Sequence, residues 1–255
     1  MICFTRSQRC GHRLANAFTL IELLVVVAII AILASLLLPV LSTAKEMGRK
    51  AKCTGNERQI ILAVNMYILD NEGYFPYPGW SSGTTRIPNW AYTRHPNSTG
   101  NGNRWDDRVQ ESQLWQYHTS PDLLWCPSHI TNTLVFSRVE TKVGSYVMNG
   151  AVTDYGTTPA GVAWQSFKAS LFEPDDIIFW EADENNPAEW DNLTSSPREG
   201  ITRRHKDGSV MAAVGGHVET ISYLEYLKMA GSDRVRGFPG QIPGRLWCNP
   251  GNKSQ

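Results

Sequence analysis

Residues 18–38 read FTLIELLVVVAIIAILASLLL, a run whose only charge is Glu22. As an α-helix rising 1.5 Å per residue it is about 30 Å long, the thickness of a bilayer hydrocarbon core. Residues 1–17 before it carry Arg6, Arg9 and Arg13 and no acid. The positive-inside rule therefore predicts a cytoplasmic N-terminus and export of everything after the run. A secretory signal peptide has a shorter apolar region, of about 7–15 residues. A plain anchor explains the length but gives Glu22 no purpose, and an intramembrane carboxylate marks a functional residue that needs a partner.

Across all 255 residues, 24 basic side chains balance 24 acidic ones, which argues against a nucleic-acid binder held by a basic face. At 42% hydrophobic and 19% charged, the chain is neither compositionally disordered nor a multi-span membrane protein. The neutral total sums a leader of +3 and a remainder of −3, since 21 of the 24 basic residues follow residue 17.

The run Ala17-Phe18-Thr19-Leu20-Ile21-Glu22, followed by an apolar helix, resembles the N-terminal segment of type IV prepilins and type II secretion pseudopilins. The resemblance implies cleavage between Ala17 and Phe18 by a membrane prepilin peptidase and N-methylation of Phe18. It also gives Glu22 a role in assembly, pairing with the N-terminal ammonium of a neighbouring subunit where apolar helices exclude water. Ala17 stands where that family usually carries Gly. The implied partners are the peptidase, other pilin or pseudopilin subunits, the secretion or pilus assembly machinery and the bacterial inner membrane. The implied location is single-pass, with the C-terminal domain periplasmic or extracellular.

Beyond Pro39, which is expected to kink the helix, Leu41, Ala44, Met47, Ala51, Ile60, Leu62, Ala63, Met66 and Tyr67 recur at helical spacing. The turn residues Asp70-Asn71-Glu72-Gly73 predict an end near Leu69. Residues 74–118 lack any period and read as loop. Their aromatics, among them Trp80, Trp90, Tyr92, Trp105 and Trp115, either pin loops onto the domain, the preferred reading, or form a sugar-binding or partner-binding surface. Short strands are expected at 123–125, 133–136, 144–148 and 176–180. A hairpin is expected over 209–222 around Gly215-Gly216, a two-residue turn in which both glycines can take positive φ, and then a helix near 223–229. The expected fold is α+β, a long partly transmembrane helix packed on a small antiparallel sheet with long irregular loops. Its expected divisions are a cleaved leader 1–17, the helix 18–69 with 18–38 in the membrane, an exported domain 70–235, and a Gly/Pro-rich tail 236–255.

This second half is similar to a large prepilin-like group with a C-terminal processing-associated segment, in which nine residues separate a His from Asp-Gly. The matching residues are Arg204-His205 and, after nine intervening residues, Gly215-Gly216-His217-Val218. Residues 53–56 with Gln59, Trp125-Cys126-Pro127, residues 146–149 and residues 174–183 follow the same pattern. Gly215 replaces the group's Asp, which removes any metal-binding or catalytic role for a carboxylate there.

Glu181 and Asp183 lie two apart, and His205 and His217 flank the hairpin. His205 is read as a hydrogen-bonded residue that locks the hairpin. Major pseudopilins often bind calcium, which here would fall to Asp183, Glu184 and Asp191. Without a dense oxygen-ligand spacing, a solvated acidic loop and no cofactor are the preferred expectation. Residues 79–83, with Ser81, fit Gly-x-Ser-x-Gly, but Pro76 and Pro78 preclude the strand that motif requires. Cys3 and Cys10 fall in the leader. Cys53, Cys126 and Cys248 remain, at spacings unlike a zinc site. The candidate pairs are Cys53 with Cys126, both in family-like stretches, and Cys126 with Cys248. The chain is thus expected to be a structural subunit and not an enzyme. The alternatives are a membrane-anchored carbohydrate- or partner-binding module and an anchored hydrolase.

Overall fold

The computed structural model describes residues 19–79, 87–93, 108–131, 136, 142–156, 165–185, 193–231 and 244–250. The chain divides into two compact units, Met1–Lys45 and Glu46–Gln255. Helix α1 (Leu20–Asp70) continues through Pro39. Its start is fixed by a capping box. The Thr19 N–H and hydroxyl donate to Glu22 Oε2 at 2.8 and 2.7 Å, and the Glu22 N–H donates to Thr19 Oγ1 at 3.2 Å. The large apolar side chains between Leu20 and Leu41 are exposed among the described residues, from 46% at Val26 to 76% at Leu20.

In the second unit α1 buries Cys53, Asn56, Glu57, Ile60, Ile61, Ala63 and Val64, spaced at three and four residues. This corrects the expected stripe. Leu62 and Met66 are exposed, and two polar residues, Asn56 and Glu57, sit among the buried ones. The alternation of apolar residues identifies the helix but does not fix its buried face.

Five strands follow: β1 (Tyr146–Asn149), β2 (Ile177–Glu181), β3 (Thr194–Ser195), β4 (Gly208–Ala213) and β5 (Val218–Ser222). They form one sheet in the order β3-β1-β2-β4-β5. The β1–β2, β2–β4 and β4–β5 pairings are antiparallel. The sheet is nevertheless mixed, not antiparallel as expected, because the two-residue β3 pairs in parallel with β1. β1, β2 and β4 are buried along their whole length. Helix α2 (Tyr223–Ala230) is capped at Ser222, whose side chain accepts from the Glu225 N–H.

The strand expected at 123–125 is instead part of a 3-10 turn, Pro121–Leu124, with proline pre-setting its first turn. Of 133–136, all but Phe136 lie outside the described residues. The hairpin forms with a different turn: Ala213 donates to the His217 carbonyl and Gly216 to the Ala213 carbonyl, at 3.0 and 2.9 Å, leaving a three-residue loop. Only Gly216 has positive φ, +89°. Gly215 is needed for space, since a Cβ there would stand 2.9 Å from the Pro174 carbonyl oxygen. Residues 246–249, within the expected tail, are buried, and Ile177 of β2 donates to the Arg245 carbonyl at 2.7 Å.

Candidate functional site: a buried cluster of thiols, histidine and carboxylates

Four side chains far apart in sequence converge beneath the second half of α1. Cys53, Cys126, Glu181 and His205 bring their ligand atoms within 4.8 Å of one another, and each is buried. Cys53 comes from α1 and Glu181 from the end of β2. His205 comes from the tight turn before β4, where Lys206 and Asp207 take positive φ. Cys126 is held from both sides: its N–H donates to Ser145 Oγ at 3.0 Å, and the Ser145 N–H donates to the Leu124 carbonyl at 2.7 Å. At Gly144 a Cβ would stand 2.8 Å from that same carbonyl oxygen, so glycine permits the two segments to meet.

His205 sits between two carboxylates. Nε2 lies 3.1 Å from Glu181 Oε1 and Nδ1 lies 3.2 Å from Glu46 Oε1. Burial alone would lower its pKa, but hydrogen bonds with Cys126 and Glu181, reinforced by the Glu181 charge, raise it to about 10. Both ring nitrogens therefore donate. Burial alone would raise the Glu181 pKa, but the His205 hydrogen bond and the nearby Arg204 charge bring it down to about 2. Glu181 Oε2 also accepts from the Val210 N–H at 3.0 Å. His205 thus ties β2 to α1 and, through Glu181, reaches Val210 of the hairpin strand β4.

Cys126 Sγ lies 3.6 Å from His205 Nε2 and 2.6 Å from Cys53 Sγ. A Cys-His-carboxylate set can serve nucleophilic catalysis when the thiol is activated and reachable. Here Cys126 is only 3% exposed, and its pKa is raised by the Cys53 contact and by burial. Glu57, one helical turn beyond Cys53, is fully buried, and neither carboxylate oxygen has a hydrogen-bond partner among the described residues. Burial and then the Glu181 charge push its pKa well above the carboxylate range, so it is held protonated.

Other expected site residues are placed apart. Asp183 accepts from the Asn185 N–H at 3.0 Å within its own turn. Glu184 takes the Thr202 hydroxyl at 2.6 Å and lies 3.3 Å from Arg204 Nε. Asp191, Ala17, Phe18 and Ser81 lie outside the described residues. His217 is partly exposed, 3.8 Å from both Asp175 and Glu219. Cys248 is buried near Asn149 Nδ2 and the Ile177 carbonyl, at 3.7 and 3.9 Å. Trp90 and Tyr92 are buried, and Trp90 Nε1 donates to the Leu193 carbonyl at 3.0 Å, so these two aromatics pin loops and present no binding face. Glu46, Glu57 and Arg204 escape a search for apolar periodicity. The one signal for Glu57 is its place on the Cys53–Ile60–Val64 face.

A long N-terminal helix of membrane-spanning length and apolarity, with a mixed sheet after it, defines a pilin-like α+β protein. Residues 12–38 match the prokaryotic N-terminal methylation motif. The chain belongs to the family described as protein of unknown function, DUF1559, which matches residues 42–189. It is similar to the type IV wide pilus major component PilA4 of Thermus thermophilus, 44% identical over 62 residues, covering 24% of this chain and 47% of that one. It is similar to the type II secretion system core protein G of Pseudomonas aeruginosa, 38% identical over 72 residues, covering 28% and 49% of the two chains. The core protein G of Escherichia coli is 44% identical over 59 residues, covering 23% and 41%. The chain thus spans about half the length, or less, of these curated relatives. No solved structure matches.

Proposed function

We propose that the protein is a structural subunit of a type IV pilus-like filament or a type II secretion pseudopilus. On this reading prepilin peptidase cuts between Ala17 and Phe18 and methylates the new Phe18 amine. The subunit waits in the inner membrane with its N-terminus cytoplasmic and its second unit exported, and then enters a filament with other pilin-like subunits through the assembly machinery. The single observation that carries it is an apolar half-helix, exposed from Leu20 to Leu41 and opened by a lone carboxylate inside a methylation motif. In the isolated chain Glu22 is satisfied locally by Thr19. In a filament the neighbour's Phe18 ammonium supplies a full opposite charge in a solvent-poor setting, where the attraction exceeds that in water several-fold. No step of this role asks the chain for catalysis, and the buried Cys126–His205 contact serves the fold.

Assembly of a Glu22→Ala variant tests the reading. The variant is expected to accumulate in the membrane, cleaved and folded, while filaments recovered by shearing fall at least tenfold. Wild-type filament yield from Glu22→Ala would overturn it.

A further inference from the structure

We infer that Cys53 and Cys126 are joined by a disulfide in the exported protein, a covalent tie between the second half of α1 and the segment leading into β1. The inference rests on export as proposed above, because disulfides persist where the compartment is oxidising. The competing use of these side chains is a buried metal. Two thiolates on a tetrahedral zinc, each at about 2.3 Å, stand about 3.8 Å apart. These sulfurs are 2.6 Å apart, more than an ångström too close. The nitrogen a metal would need is also engaged: His205 Nε2 meets Glu181 at 3.1 Å while Nδ1 meets Glu46 at 3.2 Å, so the ring is satisfied as an imidazolium with no lone pair to give. Cys126 is not placed as a reactive thiolate: the Cys53 contact and burial raise its pKa against the opposing pull of the His205 hydrogen bond and the Arg204 charge, and Cys53 is buried beside it. A sulfur–sulfur bond removes both ionisable thiols from the buried cluster and leaves the Glu46–His205–Glu181 network intact.

The step balances simply. Two thiols become one disulfide, and their two electrons and two protons pass to the disulfide of a thiol–disulfide oxidoreductase, which leaves as a dithiol. Cys248, beside Asn149 and the Ile177 carbonyl, stays a thiol.

The test uses the full chain, extracted from membranes in detergent with N-ethylmaleimide present throughout, then denatured and digested without reductant. Among the three cysteines after Phe18, only Cys248 is expected to carry the label. The Cys53 and Cys126 peptides are expected as one linked species, two hydrogens lighter than their sum, with less than 0.1 zinc per chain. Both cysteines labelled before reduction, or one zinc retained per chain, would overturn the inference. A second arm takes reduced purified chain into a glutathione redox buffer. Closure of Cys53 to Cys126 is expected there wherever the cell places the protein, and failure to close overturns the inference. The N-terminal peptide of the same digest reports processing. An unprocessed N-terminus with the link formed speaks against the filament reading alone, and a methylated Phe18 with both thiols labelled speaks against the disulfide alone.

Discussion

The two halves of α1 handle a carboxylate in opposite ways. Glu22, in the first unit, is exposed and bound by Thr19 at its own helix start. Glu57, in the second, is buried with no hydrogen-bond partner among the described residues, and only protonation makes its burial tolerable. Around the first, large apolar residues lie open, whereas around the second the helix buries a mixed polar and apolar stripe. One continuous helix thus joins a face that is open among the described residues to a face buried within the second unit.

Changes to the second half break this contrast most strongly at the His205 network. Glu181→Ala or His205→Ala takes one partner out of a buried charged network and is expected to destabilise the second unit by up to about 3–5 kcal/mol in urea unfolding. The pH profile carries its own sign. With Cys126 reduced, its hydrogen bond and Glu181 raise His205 to about 10, and a contribution that is full below the unfolded value of 6.5 is lost as pH climbs towards 10. Glu181, lowered to about 2, contributes fully above 4.5, and that contribution is lost as pH falls towards 2. The pair therefore stabilises most between pH 4.5 and 6.5. A wild-type urea midpoint that does not fall between pH 6.5 and 9, relative to His205→Asn, would contradict this.

Replacing both Cys53 and Cys126 with serine removes a tie across 73 residues. The chain-entropy relation for a ring of that size gives about 4 kcal/mol, read as a lower unfolding midpoint under non-reducing conditions that vanishes with reductant present. Glu57→Met moves stability the other way. It removes an unpartnered buried acid and is expected to gain about 1–3 kcal/mol. The gain grows as pH rises above 4.5, because the wild-type carboxyl must stay protonated in the folded chain while it ionises in the unfolded one. An equal gain at pH 4 and pH 8 would sink that account. His217→Ala, at a partly exposed position with contacts of 3.8 Å, should shift stability by no more than about 0.5 kcal/mol.

Local chemistry made much of the fold legible. The apolar run and the turn at Asp70-Asn71-Glu72-Gly73 place α1 within a residue or two of its observed ends, and β-rich segments locate β1, β2 and the hairpin. One error is local and the others depend on distant residues. Leu123 and Leu124 look like strand but follow Pro121 into a 3-10 turn. β3 is two residues long and exists only because β1 lies beside it. The cluster draws on residues 46, 53, 126, 181 and 205, which only the assembled sheet brings together. His205, Glu181, Cys53 and Cys126 were visible as candidate residues, but Glu46 and the convergence of the five were not. Glu57 was hidden because a glutamate on a helix reads as solvated until the buried face is known.

On the filament reading, the apolar half of α1 begins at a processed N-terminus made for assembly. Intact-mass and N-terminal peptide analysis of the chain extracted from the membranes of cells with active prepilin peptidase tests it most directly. The expected chain begins with N-methylated Phe18 and lacks residues 1–17. A mature chain that retains the leader, or that begins at any other residue, would contradict it.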